Sequence, residues 1–188
     1  IFIMRFIILL VSFLLISSFK PNNSPKVGDI IDSFNGVHVH YNGKAFTNTH
    51  GRNLTIDGYN LGLKYQCVEY VKRYFYHAYN HKMPHAGGNA KEFFDKKLGD
   101  KAFNQKRGLM QYRNTREYAP KVGDLLIYDS YPGNAYGHVA IISKIERDSV
   151  EIIQQNMGIK SREMLPLVEF MGYYTVADYY VLGWLRKE

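Results

Sequence analysis

Between Asp124 and Asn156 three apolar runs are joined by turn-rich segments too short to hold a crossover helix, and this limits the fold more than any other stretch. Asp124-Leu125-Leu126-Ile127-Tyr128 leads through Asp129–Asn134 into Gly137–Ile145, and Glu146–Ser149 turns the chain into Val150–Asn156. Connections this short make antiparallel neighbours. A further run, Tyr179–Leu185, is expected to close the sheet. Upstream the period changes. Val68, Val71, Tyr74, Phe75 and Ala78 recur at three- and four-residue spacing, with Glu69, Lys72 and Arg73 between them, which predicts a helix from Cys67 to about Asn80. After a break at Pro84, Gly87 and Gly88, a second helix is expected near Ala90–Lys97, and the polar run 98–119 reads as irregular surface. Helices followed by a meander make an α+β domain of helices packed on an antiparallel sheet.

Cys67, which opens the predicted helix, is the one cysteine among 188 residues, so no internal disulfide can form. A thiol at a helix N-terminus sits at the positive end of the dipole, which favours the thiolate. Two readings follow: a buried cysteine acting as a small hydrophobe, or a thiol that does chemistry. The N-terminus bears on the choice. Arg5, the apolar stretch Phe6–Ile16, then Ser17 and Ser18 describe an export signal or an uncleaved anchor over residues 1–19, with Met4 as the expected start. Residues 20–26 read as a linker and 27–188 as one domain. The protein is therefore expected to be secreted or periplasmic, touching a membrane only through that segment. In an oxidising compartment, an unpaired cysteine is either buried and inert or retained for its thiol.

The net charge of +7 suits polyanionic surroundings, and no nucleic-acid motif accompanies it. His38 and His40, or His81 and His85, have no third ligand at metal-site spacing, so no metal or cofactor is expected. The hexad Pro25–Ile30 returns almost unchanged at Pro120–Leu125; it is too short for a domain repeat, and chance or a shared turn type accounts for it.

Laid side by side, the strands put His138 at the start of one and Gln154 and Asn156 near the end of its neighbour, on one face by alternation. A thiol at the start of a helix over that sheet, an imidazole and a polar group to orient it are what cysteine nucleophilic catalysis needs.

Three motifs carry a resemblance: Gln66-Cys67 leading a helix, Gly137-His138-Val139-Ala140 leading a strand, and Gln154-Gln155-Asn156 ending the next. Together they resemble the CHAP family of papain-like cysteine amidases and peptidases. Within it, Lys64–Tyr70, Gly137–Ile142, Tyr174-Thr175 and Leu182-Gly183-Trp184 are most similar to amidase domains of the glutathionylspermidine synthetase/amidase type. The resemblance implies a papain-like fold, Cys67 as nucleophile and His138 as general base and then acid. It implies Gln154 and Asn156 as partners of the imidazole, and the Cys67 N–H with the Gln66 side chain as oxyanion donors. Gln154 stands where that nearer type has Glu, so the imidazolium lacks a directly bonded charge. The expected function is an exported amidase or endopeptidase acting on peptidoglycan. The alternatives are a glutathionylspermidine-type amidase on a small peptide amide, or a catalytically weak wall-binding module.

Overall fold

A computed structural model describes residues 24–188. The expected signal or anchor and most of the linker fall on residues 1–23, outside the described residues. Two small antiparallel hairpins come first, β1 (Ile30–Phe34) with β2 (Val37–His40) and β3 (Arg52–Leu54) with β4 (Asn60–Leu63). Helix α1 (Cys67–Tyr79) follows. The remaining strands are β5 (Ala102–Asn104), β6 (Leu109–Arg113), β7 (Leu125–Tyr128), β8 (His138–Ile145), β9 (Ser149–Ile153), β10 (Arg162–Phe170), β11 (Tyr173–Val176) and β12 (Val181–Arg186). They form one eight-stranded antiparallel sheet in the order β11-β10-β9-β8-β7-β12-β6-β5.

The sheet is apolar on both faces, which is why β7 reads as a continuous run rather than an alternation. Leu125, Ile127, Val139, Ile141, Ile153 and Leu185 pack with Val71, Tyr74 and Phe75 of α1. Leu126, Ala140, Ile142, Ile152 and Trp184 form a second cluster with Tyr112, Leu165 and Val176. The sheet curls to enclose that second cluster: Thr115 N–H donates to the Tyr174 carbonyl at 3.0 Å, joining the chain after β6 to β11. Each fully buried aliphatic side chain contributes roughly 1.5–3 kcal/mol, so the two clusters dominate the stability. α1 ends where Asn80 turns left-handed (φ 47°).

The expectation of helices in the plural is corrected. α1 is the one α-helix among the described residues, and Ala90–Phe93 is a single 3-10 turn. Phe94 is extended, and tertiary partners take the backbone groups that a longer helix would use. The Gln111 side chain accepts from Asp95 N–H and donates to Asp95 C=O, both at 2.9 Å, and Arg107 binds the Glu92 carbonyl. The stretch 98–119 is not irregular either. Asn104, Arg107 and Gln111 are polar yet buried, because their hydrogen bonds are made to one another's surroundings inside the fold. β12 does not end the sheet but lies between β7 and β6.

The repeated hexad is one turn used twice. In each copy an aspartate caps the turn it closes: Lys26 N–H donates to Asp29 Oδ2 and Lys121 N–H to Asp124 Oδ2, both at 2.7 Å. Gly28 and Gly123 share a φ near +90°, which an L side chain resists.

Candidate active site

Gln66 is the N-cap residue of α1, yet its side chain makes no capping bond. Its Nε2 donates to the carbonyls of Phe46 (3.0 Å) and Asn48 (2.6 Å), and its Oε1 accepts from Asn156 Nδ2 at 2.8 Å. A serine or aspartate here would spend the free N–H groups of the first turn. Left unspent, the N–H groups of Cys67 and Val68 face the Cys67 sulfur, as does the N–H of Val139 on β8. Cys67 is buried, and burial pushes its thiol up to about 11, with those three N–H groups pulling the other way.

His138 is the first residue of β8 and lies across from Tyr128 of β7. Gly137 before it has φ +75°, and a Cβ there would meet the Tyr128 carbonyl and Lys91, so the approach to His138 requires glycine. His138 Nε2 donates to Gln154 Oε1 at 2.9 Å, which leaves Nδ1 with its lone pair. Burial holds the imidazole down at about 4, against a smaller opposing pull from the Gln154 bond and the Glu163 charge. No hydrogen bond joins Cys67 to His138; the sulfur lies instead against the N–H of the residue next to it. Unliganded cysteine and histidine pairs often close only around substrate.

The structure thus brings Cys67, His138 and Gln154 to one place. Asn156 goes elsewhere. β9 ends at Ile153 and Asn156 is left-handed (φ 74°), so strand alternation no longer sets its direction. Its amide binds Gln66, the Phe46 carbonyl and Asn42, and it therefore fixes the residue before the nucleophile, not the imidazole. The Gln66 side chain has both Nε2 protons on backbone carbonyls, so of the two expected oxyanion donors only the Cys67 N–H is free to serve.

Sequence reasoning assigns Gln155 no role in the site. Gln155 Nε2 donates to the Gln66 carbonyl (3.1 Å) and to Glu69 (2.8 Å), while its Oε1 accepts from His40 N–H (2.8 Å). The three consecutive amides therefore divide the site between them. Gln154 holds the imidazole, Gln155 the first turn of the helix and Asn156 the N-cap residue. His38 and His40 sit on β2, where His40 Nδ1 bonds the Gly28 carbonyl, and His81 Nε2 bonds that of Arg107.

The shifts at the two reacting groups set a pH window. His138 is neutral in the fold down to about pH 4, whereas the unfolded chain takes up that proton near 6.5. Below 6.5 the unfolded state binds more protons, so stability falls between 6.5 and about 4. Cys67 acts at the other end, where the unfolded chain ionises near 9 and the fold near 11, so stability falls across that interval. Urea melts at the two acid limits are expected to show His138→Gln losing less stability than the parent, by on the order of 3 kcal/mol. Equal losses in both proteins would refute the neutral buried imidazole.

A family model for the CHAP domain matches residues 56–156, which contain Cys67, His138 and Gln154. The chain belongs to the CHAP domain family. It is 31% identical over 144 residues to a trypanothione synthetase of Crithidia fasciculata, covering 71% of this chain and 22% of that protein. It is 31% identical over 145 residues to the bifunctional glutathionylspermidine synthetase/amidase of Escherichia coli (strain K12), covering 69% and 23%. Against endolysin PlyTW of Staphylococcus phage Twort it is 28% identical over 96 residues, covering 49% and 19%. The chain spans less than a quarter of the length of each of these relatives. The mixed, mostly antiparallel fold, with one α-helix among the described residues, fits a papain-like arrangement.

Proposed function

We propose that this protein is an exported cysteine amidase or endopeptidase that hydrolyses amide bonds of peptidoglycan. The observation that carries the reading is the His138–Gln154 bond at the uncapped start of α1, where the one thiol of the chain stands. The Cys67 sulfur attacks the amide carbon and passes its proton to His138 Nδ1. The Cys67 N–H supports the oxyanion of the tetrahedral intermediate. His138 then protonates the leaving amine as the C–N bond breaks, giving a thioester on Cys67. Water, deprotonated by His138, attacks the thioester carbon; the acid departs and the thiol is restored. Burial disfavours both a standing thiolate and a standing imidazolium, which favours moving the proton as the sulfur attacks.

Three features support a wall substrate: the signal-like residues 1–19, the net charge of +7, and the endolysin among the relatives. The glutathionylspermidine synthetase/amidase relative favours the second reading, cleavage of a small peptide amide. Digestion of purified peptidoglycan by the full chain, with products read by mass spectrometry, separates them. New muropeptide ends are expected, either within the stem peptide or at its junction with muramic acid. An untouched wall together with cleavage of glutathionylspermidine would replace the first reading with the second.

A further inference from the structure

Gln154 cannot orient His138 unless something orients Gln154. An amide can present either its oxygen or its NH2 to an imidazole, and the two choices impose opposite tautomers. With Oε1 toward Nε2, the ring carries its proton there and keeps Nδ1 free to take one. With the amide reversed, Nε2 accepts and Nδ1 carries the proton, which is useless as a base toward the thiol. The choice is made on β10. Gln154 Nε2 donates to Glu163 Oε2 at 3.4 Å, and a carboxylate can only accept, so Oε1 is left for His138. The Gln154 backbone is pinned in the same hairpin, its N–H donating to the Ser161 carbonyl at 2.8 Å.

We propose that Glu163 is a positioning residue for the hydrolytic site, fixing the His138 tautomer through Gln154 and supplying at one remove the negative charge that Gln154 lacks. The inference rests on the thiol mechanism proposed above. Around the imidazole stand Cys67 of α1, whose sulfur faces the Val139 N–H, Tyr128 of β7 with its ring centroid 5.9 Å away, and Glu163 of β10, with Lys91 against Gly137 just before it. Lys160 pairs with Glu163 at 2.6 Å and draws on the same carboxylate from the solvent side. Tyr128 is buried and stays neutral, its hydroxyl pushed upward by burial and by Asp178 and Glu163 beyond it. The Glu163 charge acts on His138 and favours the imidazolium that forms as the thiol gives up its proton.

The test reads the free protein, so it stands whether or not peptidoglycan is the substrate. Alkylation of Cys67 by iodoacetamide across pH reports the thiolate, and nitrogen NMR of the His138 ring reports the tautomer. In Glu163→Gln the amide can still accept from Gln154, so the Nε2–H tautomer should persist while alkylation at neutral pH slows about threefold. Glu163→Leu loses both functions; a mixed tautomer and a fall of about tenfold or more are expected. Lys160→Ala frees the carboxylate and should speed alkylation. The pair Gln154→Glu with Glu163→Gln moves the charge onto the imidazole and should restore the parent rate or exceed it. An Nε2–H ring and an unchanged pH profile in Glu163→Leu would overturn the proposal. So would equal slowing in Glu163→Leu and Lys160→Ala, which a merely structural role for this pair produces.

Discussion

Cys67→Ala is expected to lose amide hydrolysis by about 10⁴-fold or more while keeping its melting temperature within a few degrees. The sulfur is the only group that forms the covalent intermediate, and no other side chain at the start of α1 can replace it. Gln66 is locked to two carbonyls and to Asn156, and Glu69, though in the same first turn, is held within its own network of Asn53, Arg73 and Gln155. The structural cost is small because alanine keeps the Cβ of a short side chain and takes a single sulfur out of the apolar cluster under α1. Parallel rate assays and melting curves check both halves. Cys67→Ser should be almost as inactive, since a hydroxyl resists deprotonation by an imidazole that burial holds near 4. Activity retained in Cys67→Ala would remove the thiol mechanism altogether.

The second large effect concerns stability. Glu69, in the first turn of α1, is 1% exposed and accepts from three elements at once. Its Oε1 receives Asn53 Nδ2 at 2.7 Å and Arg73 Nε at 2.6 Å; its Oε2 receives Gln155 Nε2 at 2.8 Å. The charge also faces the positive end of the helix. Removing it leaves the nearly buried Arg73 guanidinium without its carboxylate, held only by the His38 carbonyl and Gln155 Oε1, and takes an acceptor from Asn53 and Gln155, a loss of about 3–5 kcal/mol. For a chain of this size Glu69→Ala should melt roughly 6–20 °C lower, at an unchanged denaturant slope. Glu69→Gln keeps one acceptor oxygen but no charge, turns an NH2 toward the remaining donors, and should fall between the parent and the alanine variant. Activity should drop in parallel, because Gln155 joins Glu69 to the strand end that places Gln154. A melting shift below about 2 °C would mean that this network is decorative.

How much of the fold is legible in the chain follows from locality. β7, β8 and β9 are legible because short turns force antiparallel pairing, and α1 because Val71, Tyr74 and Phe75 fall on one stripe. Cys67, His138 and Gln154 are legible because each sits at the end of one of those elements. β5 and β6 are not, since Asn104 and Gln111 look like solvated surface and are buried against partners distant in the chain. The 3-10 turn at Ala90–Phe93 reads as a helix for the same reason: long-range bonds take its backbone. Nor can the position of β12 between β7 and β6 be inferred, because turn length fixes neighbours only for consecutive strands. Asn156 is assigned to the imidazole by an alternation that ends too early, at Ile153. Glu163 carries no local signal at all; it meets Gln154 only because β10 folds back along β9.

The most direct test is to capture the covalent intermediate. Rapid mixing of the full chain with a soluble muropeptide, acid quench and intact-mass analysis should show an adduct on Cys67 equal to the acyl fragment. It should form and decay at the turnover rate and be absent in Cys67→Ala. Product formation with no adduct on Cys67 at any time, and undiminished in the alanine variant, would contradict nucleophilic catalysis by this thiol.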